Sequence, residues 1–404
     1  MTFGRLGRTV ALLTLGCLAW GGHARRKPRP RPRPRPGKVR LRETTPSQVN
    51  IVNALALSPF LGALGALEHQ SNGRGVRILH FGDSHTAADY WTGRLRQRLQ
   101  ARFGDGGPGM ILPGRPWRGY HHEGVDLQEG LHWPADSLRS KTCEGWVGLA
   151  GAALQSPAEG GTFTLLAAYR EARIQVLGSG KPAVLGAAVE PLLEQPMGER
   201  TLRVFKAPGY GLETLAIQLP QESLLLGVDL RSGKPGVIYD ELGLNGAELL
   251  DLERWRPELR RSLLAQVQPD LLVLAYGTND MGRTDISPED YQERARRLFA
   301  ALKRESGASV LVVGPLDRMG RNRRQLPRLR EGARWVTKAL RSAALASGCA
   351  FWDARQAMGG EGSLLSWKRR GLAQKDLVHL TGPGYEKLGD LMVEALLREY
   401  RAGE

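Results

Sequence analysis

The sequence predicts an α/β protein: a flavodoxin-like, doubly wound parallel sheet with an antiparallel β-sandwich inserted into it. Three observations predict it. Short apolar runs at Arg77–Phe81, Gly236–Tyr239, Leu271–Tyr276, Val310–Val313 and Ala350–Trp352 read as buried strands, with helix-forming segments between them. From Trp117 to about Ser232 the helical pattern disappears and short alternating runs replace it. The roughly 360 residues after position 45 exceed one ordinary domain, which calls for a second module.

Residues 1–24 read as a secretory signal. Arg5 and Arg8 form a basic start, Val10 to Trp20 an apolar core, and Gly22-His23-Ala24 a small-residue cleavage site. The apolar run is too short to span a bilayer comfortably. A second processing route is lipidation at Cys17, against which Thr14 stands where leucine is usual. Either route places the protein outside the cytoplasm, in the periplasm, cell envelope or medium. Residues 25–45 form a linker built on an Arg-Pro repeat, whose alternate prolines block helix and sheet pairing and favour an extended spacer. Ten Arg and Lys residues between Arg25 and Arg42 supply most of the formal charge of +16; without them and Arg5 and Arg8 it falls to +4. The basic character therefore belongs to a tail. An exported tail of this kind suits contact with anionic envelope polymer and argues against nucleic acid as a partner.

The α/β body runs from 46 to 115 and resumes from 233 to 404, with the β-rich module at 116–232. Ile51 to Leu67 is an amphipathic packing helix. The strand Arg77–Phe81 breaks at Gly82-Asp83-Ser84 ahead of a helix over Tyr90–Phe103. Within the insertion, strands are expected at 162–166, 174–177, 202–205, 215–219 and 224–230, separated by Gly and Pro turns as in a sandwich. Trp133 and Trp146 are candidates for stacking on sugar rings; core packing is the alternative. His121, His122 and His132 lack a recognised ligand framework, so no metal or cofactor is assigned. Cys143 and Cys349 are either a disulfide or two buried thiols, and the spacing does not decide. Further helices are expected at about 249–266, 287–304, 324–346 and from Thr381 or Gly384 to about Tyr400. Ser287-Pro288-Glu289-Asp290 starts one of them with a side-chain cap, a first-turn proline and acids at the positive dipole end.

Four polar breaks punctuate the body in order. Gly82-Asp83-Ser84-His85-Thr86 follows the first strand, Gly243-Leu244-Asn245-Gly246 the second and Gly277-Thr278-Asn279-Asp280 the third. Asp376-Leu377-Val378-His379 precedes the last helix. A serine at a strand's carboxyl end, before a helix, projects into the crevice where open α/β sheets bind ligands. These blocks resemble the SGNH hydrolases, also called GDSL-like esterases, over about Val76 to Leu397 apart from the insertion. The resemblance implies a strand order of 2-1-3-4-5 and a serine esterase. Ser84 would be the nucleophile, His379 its base and Asp376 the group that holds the histidine tautomer. The oxyanion donors would be the Ser84 N–H, the Gly246 N–H and the Asn279 amide, with Gly243 as the alternative glycine. His85, next to Ser84, ranks below His379 as base, and His69 and His80 read as structural. No Gly-x-Ser-x-Gly surrounds Ser84, unlike the α/β-hydrolase elbow.

The glycine-rich turn Gly104–Gly109, the β-rich insertion and the ending Lys375–Thr381 with Gly384-Tyr385 resemble the exported peptidoglycan O-acetylesterases. That resemblance implies an O-acetylated envelope glycan as partner and a Ser84 acyl-enzyme. A lipase or phospholipase of the same family is the first alternative, and a glycan-binding protein that has lost activity the second.

Overall fold

Strand β1 (Val76–Gly82) is buried along its whole length, and its side chains alternate between two apolar cores: Ile78 enters one, Leu79 and Phe81 the other. Covered on both faces, it can read as a continuous apolar run. The computed structural model describes residues 49–403 except 71–72, 113–115, 118, 128–132, 159 and 320–325. The signal and linker segments, Cys17 and His132 lie outside the described residues. Helix α1 (Ser58–Glu68) precedes β1, and α2 (Tyr90–Phe103) follows it with the expected bounds.

The chain then enters a second sheet, made of β2 (Gly109–Ile111), β3 (Val125–Leu127), β4 (Ala135–Ser137), β5 (Ala152–Gln155), β6 (Gly161–Leu177), β7 (Ala183–Val184), β8 (Glu190–Met197), β9 (Arg200–Leu219) and β10 (Leu224–Arg231). Every pairing in it is antiparallel. Here the short strands expected from alternation prove to be two long ribbons: 162–166 and 174–177 both belong to β6, and 202–205 and 215–219 both belong to β9. Pro208 does not end β9, although the register slips between Tyr169 and Glu171 opposite this stretch. Pro208 itself stays in register with Glu171, and the bulge beside it sets Gly209 and Tyr210 against Arg170.

The parallel sheet resumes with β11 (Val237–Gly243), β12 (Leu271–Ala275), β13 (Ser309–Val313) and β14 (Ala350–Trp352). Its order is β11-β1-β12-β13-β14, every neighbour parallel, which is the doubly wound 2-1-3-4-5 arrangement. Connecting helices are α3 (Pro257–Val267), α4 (Pro288–Ser306) and α5 (Leu326–Ala346), then α6 (Ala354–Ala357), α7 (Ser363–Arg369) and α8 (Gly382–Ala402). The expected single helix from 249 is a short 3-10 turn, Leu249–Arg254, followed by α3 starting at Pro257. Proline suits a first turn but cannot continue a helix, so the chain restarts there. The Ser287 hydroxyl caps α4 by accepting from the Asp290 N–H at 3.1 Å.

One apolar core packs α1, α2 and α8 on one face of the parallel sheet. The other runs without a break from the opposite face, with α3, α4 and α5, into the antiparallel sheet. A buried ionic knot fastens the two sheets as well. The Arg77 guanidinium on β1 donates to Asp229 of β10 at 2.7 and 2.9 Å and to Asp240 of β11 at 2.7 and 3.0 Å. Cys143 and Cys349 are both buried free thiols, which settles the alternative in their favour over a disulfide.

Candidate active site

Because β11 lies on one side of β1 and β12 on the other, the chain leaves β1 in both directions and opens a crevice at the strands' carboxyl ends. Gly82, the last residue of β1, is in register with Gly243 on one side and Ala275 on the other. Absence of a side chain matters at this edge. A Cβ at Gly243 would run into the backbone of Ala87, in the turn that carries Ser84.

That turn is shaped by Asp83. Its carbonyl accepts from the N–H groups of Thr86 and Ala87, and its carboxylate accepts from the His85 N–H at 2.9 Å. The intervening Ser84 N–H has no hydrogen-bond partner among the described residues, and its side chain is half-buried. Burial pushes the Asp83 carboxyl up to about 6.

Ser84 Oγ lies 2.8 Å from His379 Nε2, and His379 Nδ1 lies 2.6 Å from the Asp376 carboxylate. The loop holding the last two is closed on itself. Gln374 N–H donates to the His379 carbonyl at 2.8 Å, and the second Asp376 oxygen accepts from the N–H groups of Val378 and His379. Leu377 takes a left-handed backbone, φ 61°, to make this turn. Burial alone would raise the Asp376 carboxyl. The His379 ring and the two N–H donors outweigh it and hold the group below the usual carboxylate range, so Asp376 stays ionised beside the imidazole.

His85 points elsewhere: its Nδ1 meets the Tyr385 hydroxyl at 2.9 Å, and its ring lies 5.3 Å from that of His379. Burial drives His85 down to about 3, so it is a neutral prop for the His379 ring. His80 is buried against the Tyr239 hydroxyl at 2.8 Å. His69 is exposed at the end of α1.

Of the two candidate glycines, Gly243 is excluded as a donor, since its N–H donates to the Glu241 carboxylate at 2.6 Å. Gly246, at φ 73°, leaves its N–H without a partner among the described residues. The half-buried Asn279 side chain donates one amide hydrogen to the Ala247 carbonyl at 2.9 Å and retains a second. The site thus brings Ser84, His379 and Asp376 together and flanks them with the Gly246 and Asn279 loops.

Trp133 and Trp146 do not join it. Trp133 is fully buried with its ring 5.5 Å from Phe163, so it is a core residue and the sugar-stacking reading is corrected. Trp146 is partly buried against the core and covered by the Arg256 guanidinium at 4.1 Å, which occupies the aromatic face a sugar would need. Arg318 was not singled out from the sequence, yet it follows the carboxyl end of β13 and donates to the Thr278 carbonyl at 2.8 Å, next to Asn279. Its position after a parallel strand was the available signal.

A family profile described as GDSL-like Lipase/Acylhydrolase matches residues 221–387, a span that holds Gly246, Asn279, Asp376 and His379. Among solved structures, a peptidoglycan O-acetylesterase is 26% identical with a TM-score of 0.70, covering 86% of this chain and 97% of its own. A lipase/acylhydrolase from Enterococcus faecalis is 23% identical, covers 41% of this chain and 77% of its own, and has a TM-score of 0.31. An acetyl xylan esterase from Geobacillus stearothermophilus is 20% identical, covers 41% and 73%, and has a TM-score of 0.30. No curated protein sequence matches the chain.

Proposed function

We propose that this chain, a carboxylic ester hydrolase belonging to the GDSL-like lipase/acylhydrolase (SGNH) family, is exported and removes O-acetyl groups from an envelope polysaccharide through a Ser84 acyl-enzyme. The observation that carries the reading is the 2.8 Å contact of Ser84 Oγ with His379 Nε2, whose other nitrogen is held by an ionised Asp376. The substrate class draws on the likeness, over 86% of the chain and the insertion with it, to a peptidoglycan O-acetylesterase. Export draws on the signal-like residues 1–24 and the basic linker after them. Among the described residues no helix is long and apolar enough to cross a membrane.

Chemistry follows from the geometry. His379 takes the Ser84 proton as Oγ attacks the acetyl carbonyl, and Asp376 stabilises the imidazolium that forms. The carbonyl oxygen, now an anion, is met by the unpaired N–H groups of Ser84 and Gly246 and by the remaining Asn279 amide hydrogen. His379 then protonates the departing sugar hydroxyl. Water, deprotonated by the same ring, cleaves the acetyl-serine and returns acetate and free enzyme.

Acetate release from O-acetylated peptidoglycan, acetylated xylan and a series of aryl esters of rising chain length tests the reading. Acetate should come from the envelope glycan, activity on aryl esters should fall steeply beyond acetyl, and Ser84→Ala should abolish both while folding normally. Phosphonate labelling at a residue other than Ser84, or a preference for long acyl chains, would sink it.

A further inference from the structure

Tyr90 opens α2 and leaves 48% of its surface exposed. Its ring is nearly parallel to that of His121, 5.9 Å away, and to that of Tyr385, 6.4 Å away. Tyr385 is the residue whose hydroxyl holds His85, and His85 packs on His379. A row of rings therefore leads from the catalytic base to an open cleft of about 450 Å³ whose lining includes Tyr90, His121, Gln97, Glu123, Glu386 and Arg94, the last with its guanidinium held by Asp390 at 2.9 and 3.3 Å. A second cleft of about 460 Å³ shares His121 and Glu123 with it and continues across the antiparallel sheet to the exposed Leu212.

The cleft is built, not incidental. Asp89, fully buried at φ 54°, binds Arg96 at 2.7 Å and the Thr92 hydroxyl at 2.6 Å. The same carboxylate accepts from the Glu123 N–H at 2.7 Å, so one side chain fixes both the start of α2 and the 121–123 loop of the insertion. The Glu123 carboxylate lies over Gly93, where any Cβ would collide with it. That carboxylate and the one on Glu386 have no hydrogen-bond partner among the described residues, and both residues are exposed.

An aromatic ring flanked by free carboxylates and an amide matches a pyranose, which offers a C–H face and a rim of hydroxyls. With the Arg94 guanidinium already paired to Asp390, the two carboxylates disfavour a phosphate or sulfate, and their charge disfavours an acyl chain. We propose that the Tyr90 cleft is a second sugar-binding subsite, taking a ring of the glycan chain some way along from the acetylated sugar at Ser84, with the adjoining cleft continuing the track. This rests on the glycan reading under Proposed function. The β insertion thereby has a specific role in substrate binding, because its 121–123 loop supplies one wall of the track.

The test compares kcat/KM on soluble O-acetylated peptidoglycan oligomers with kcat/KM on an aryl acetate, and measures calorimetric binding of the same oligomers after chemical de-O-acetylation. Tyr90→Ala should lower the oligomer-to-aryl ratio roughly tenfold and weaken oligomer binding by a similar factor, while Tyr90→Phe, which keeps the ring, should retain both. Glu123→Gln, an isosteric change at an exposed position, should lower the ratio severalfold and serves if the alanine variant folds poorly. An unchanged ratio and unchanged binding in these variants would overturn the subsite while leaving the deacetylase intact. Wild-type protein that cleaves aryl acetate and binds oligomers in a Tyr90-dependent way, yet releases no acetate from them, would overturn the substrate reading and leave the subsite standing.

Discussion

The Asn279 amide donates to the carbonyl of Ala247 at 2.9 Å, immediately after Gly246. The two proposed oxyanion donors, on different loops after β11 and after β12, are thereby locked to each other. Asn279→Ala should remove one donor and also release the Gly246 loop. We expect a loss in kcat of about 100- to 1,000-fold with a much smaller change in KM. Steady-state kinetics on an aryl acetate check this, and an effect confined to KM would remove Asn279 from the oxyanion site.

The two glycines after β11 should behave differently when substituted. Gly243→Ala places a Cβ against the Ala87 backbone, next to the Ser84 turn, in a region with no room to yield. It should destabilise by about 1–3 kcal/mol and cost most of the activity, since the turn that carries Ser84 must shift. Gly246→Ala keeps the N–H and meets nothing closer than the Arg139 side chain, so its main cost is the left-handed backbone, about 1–2 kcal/mol. Urea midpoints together with kcat separate the two. Equal loss of activity in both would contradict the assignment of the donor to Gly246.

The parallel sheet was legible because its strands are buried on both faces and so appear as bare apolar runs, Leu271–Ala275 most plainly. The site was legible because each of its parts sits just beyond such a run or in one short local motif. The insertion was harder. β6 and β9 continue through Arg170 and Pro208, and a bulge beside a proline is a property of two paired strands, invisible in either alone. Tryptophan burial was equally hidden. Trp133 lies under Phe163, a contact set by tertiary packing, and Trp146 is covered by Arg256, a residue distant in sequence that bonds the neighbouring Glu144 and Gly145 carbonyls. Asp89 carried no local signal either: Arg96 meets it two turns along α2, and Glu123 only once the insertion has folded back onto that helix.

Trp133→Ala should accordingly act as a core truncation. With the ring fully buried, the loss should be about 3–5 kcal/mol. Denaturant unfolding should show a lowered midpoint, and kcat on an aryl acetate per folded molecule should hold. A variant of wild-type stability with weakened glycan binding would restore the sugar-stacking role.

The Asp376–His379 couple should be sensitive to the acceptor as well as the charge. Asp376→Asn removes the ionised partner that steadies the imidazolium and presents an amide N–H to His379 Nδ1 in one of its two orientations. A drop in kcat of about 10⁴-fold is expected, in line with the known cost of the same change in a serine protease triad. His379→Ala should cost at least as much. Retention of more than a tenth of wild-type kcat in Asp376→Asn would mean that the 2.6 Å contact is structural.

Asp280, next to Asn279, should leave a mark on stability against pH. Its carboxyl is fully buried; one oxygen accepts from the Tyr291 hydroxyl at 2.8 Å and the Leu249 N–H at 3.2 Å, and the other has no hydrogen-bond partner among the described residues. Burial pushes it up to about 7, above the unfolded value of about 3.9. The folded state therefore holds this proton more tightly than the unfolded chain does. Its contribution is complete below about pH 4 and is lost as pH rises to about 7, where the buried group must ionise. Asp280→Asn cannot ionise and should lack that fall, so the variant should gain on the wild type as pH rises through this window. Unfolding midpoints for both proteins at about pH 5 and about pH 8 test the sign. A variant that stays equally far from the wild type at both, or loses ground at the higher pH, would mean that Asp280 ionises at an ordinary carboxylate value.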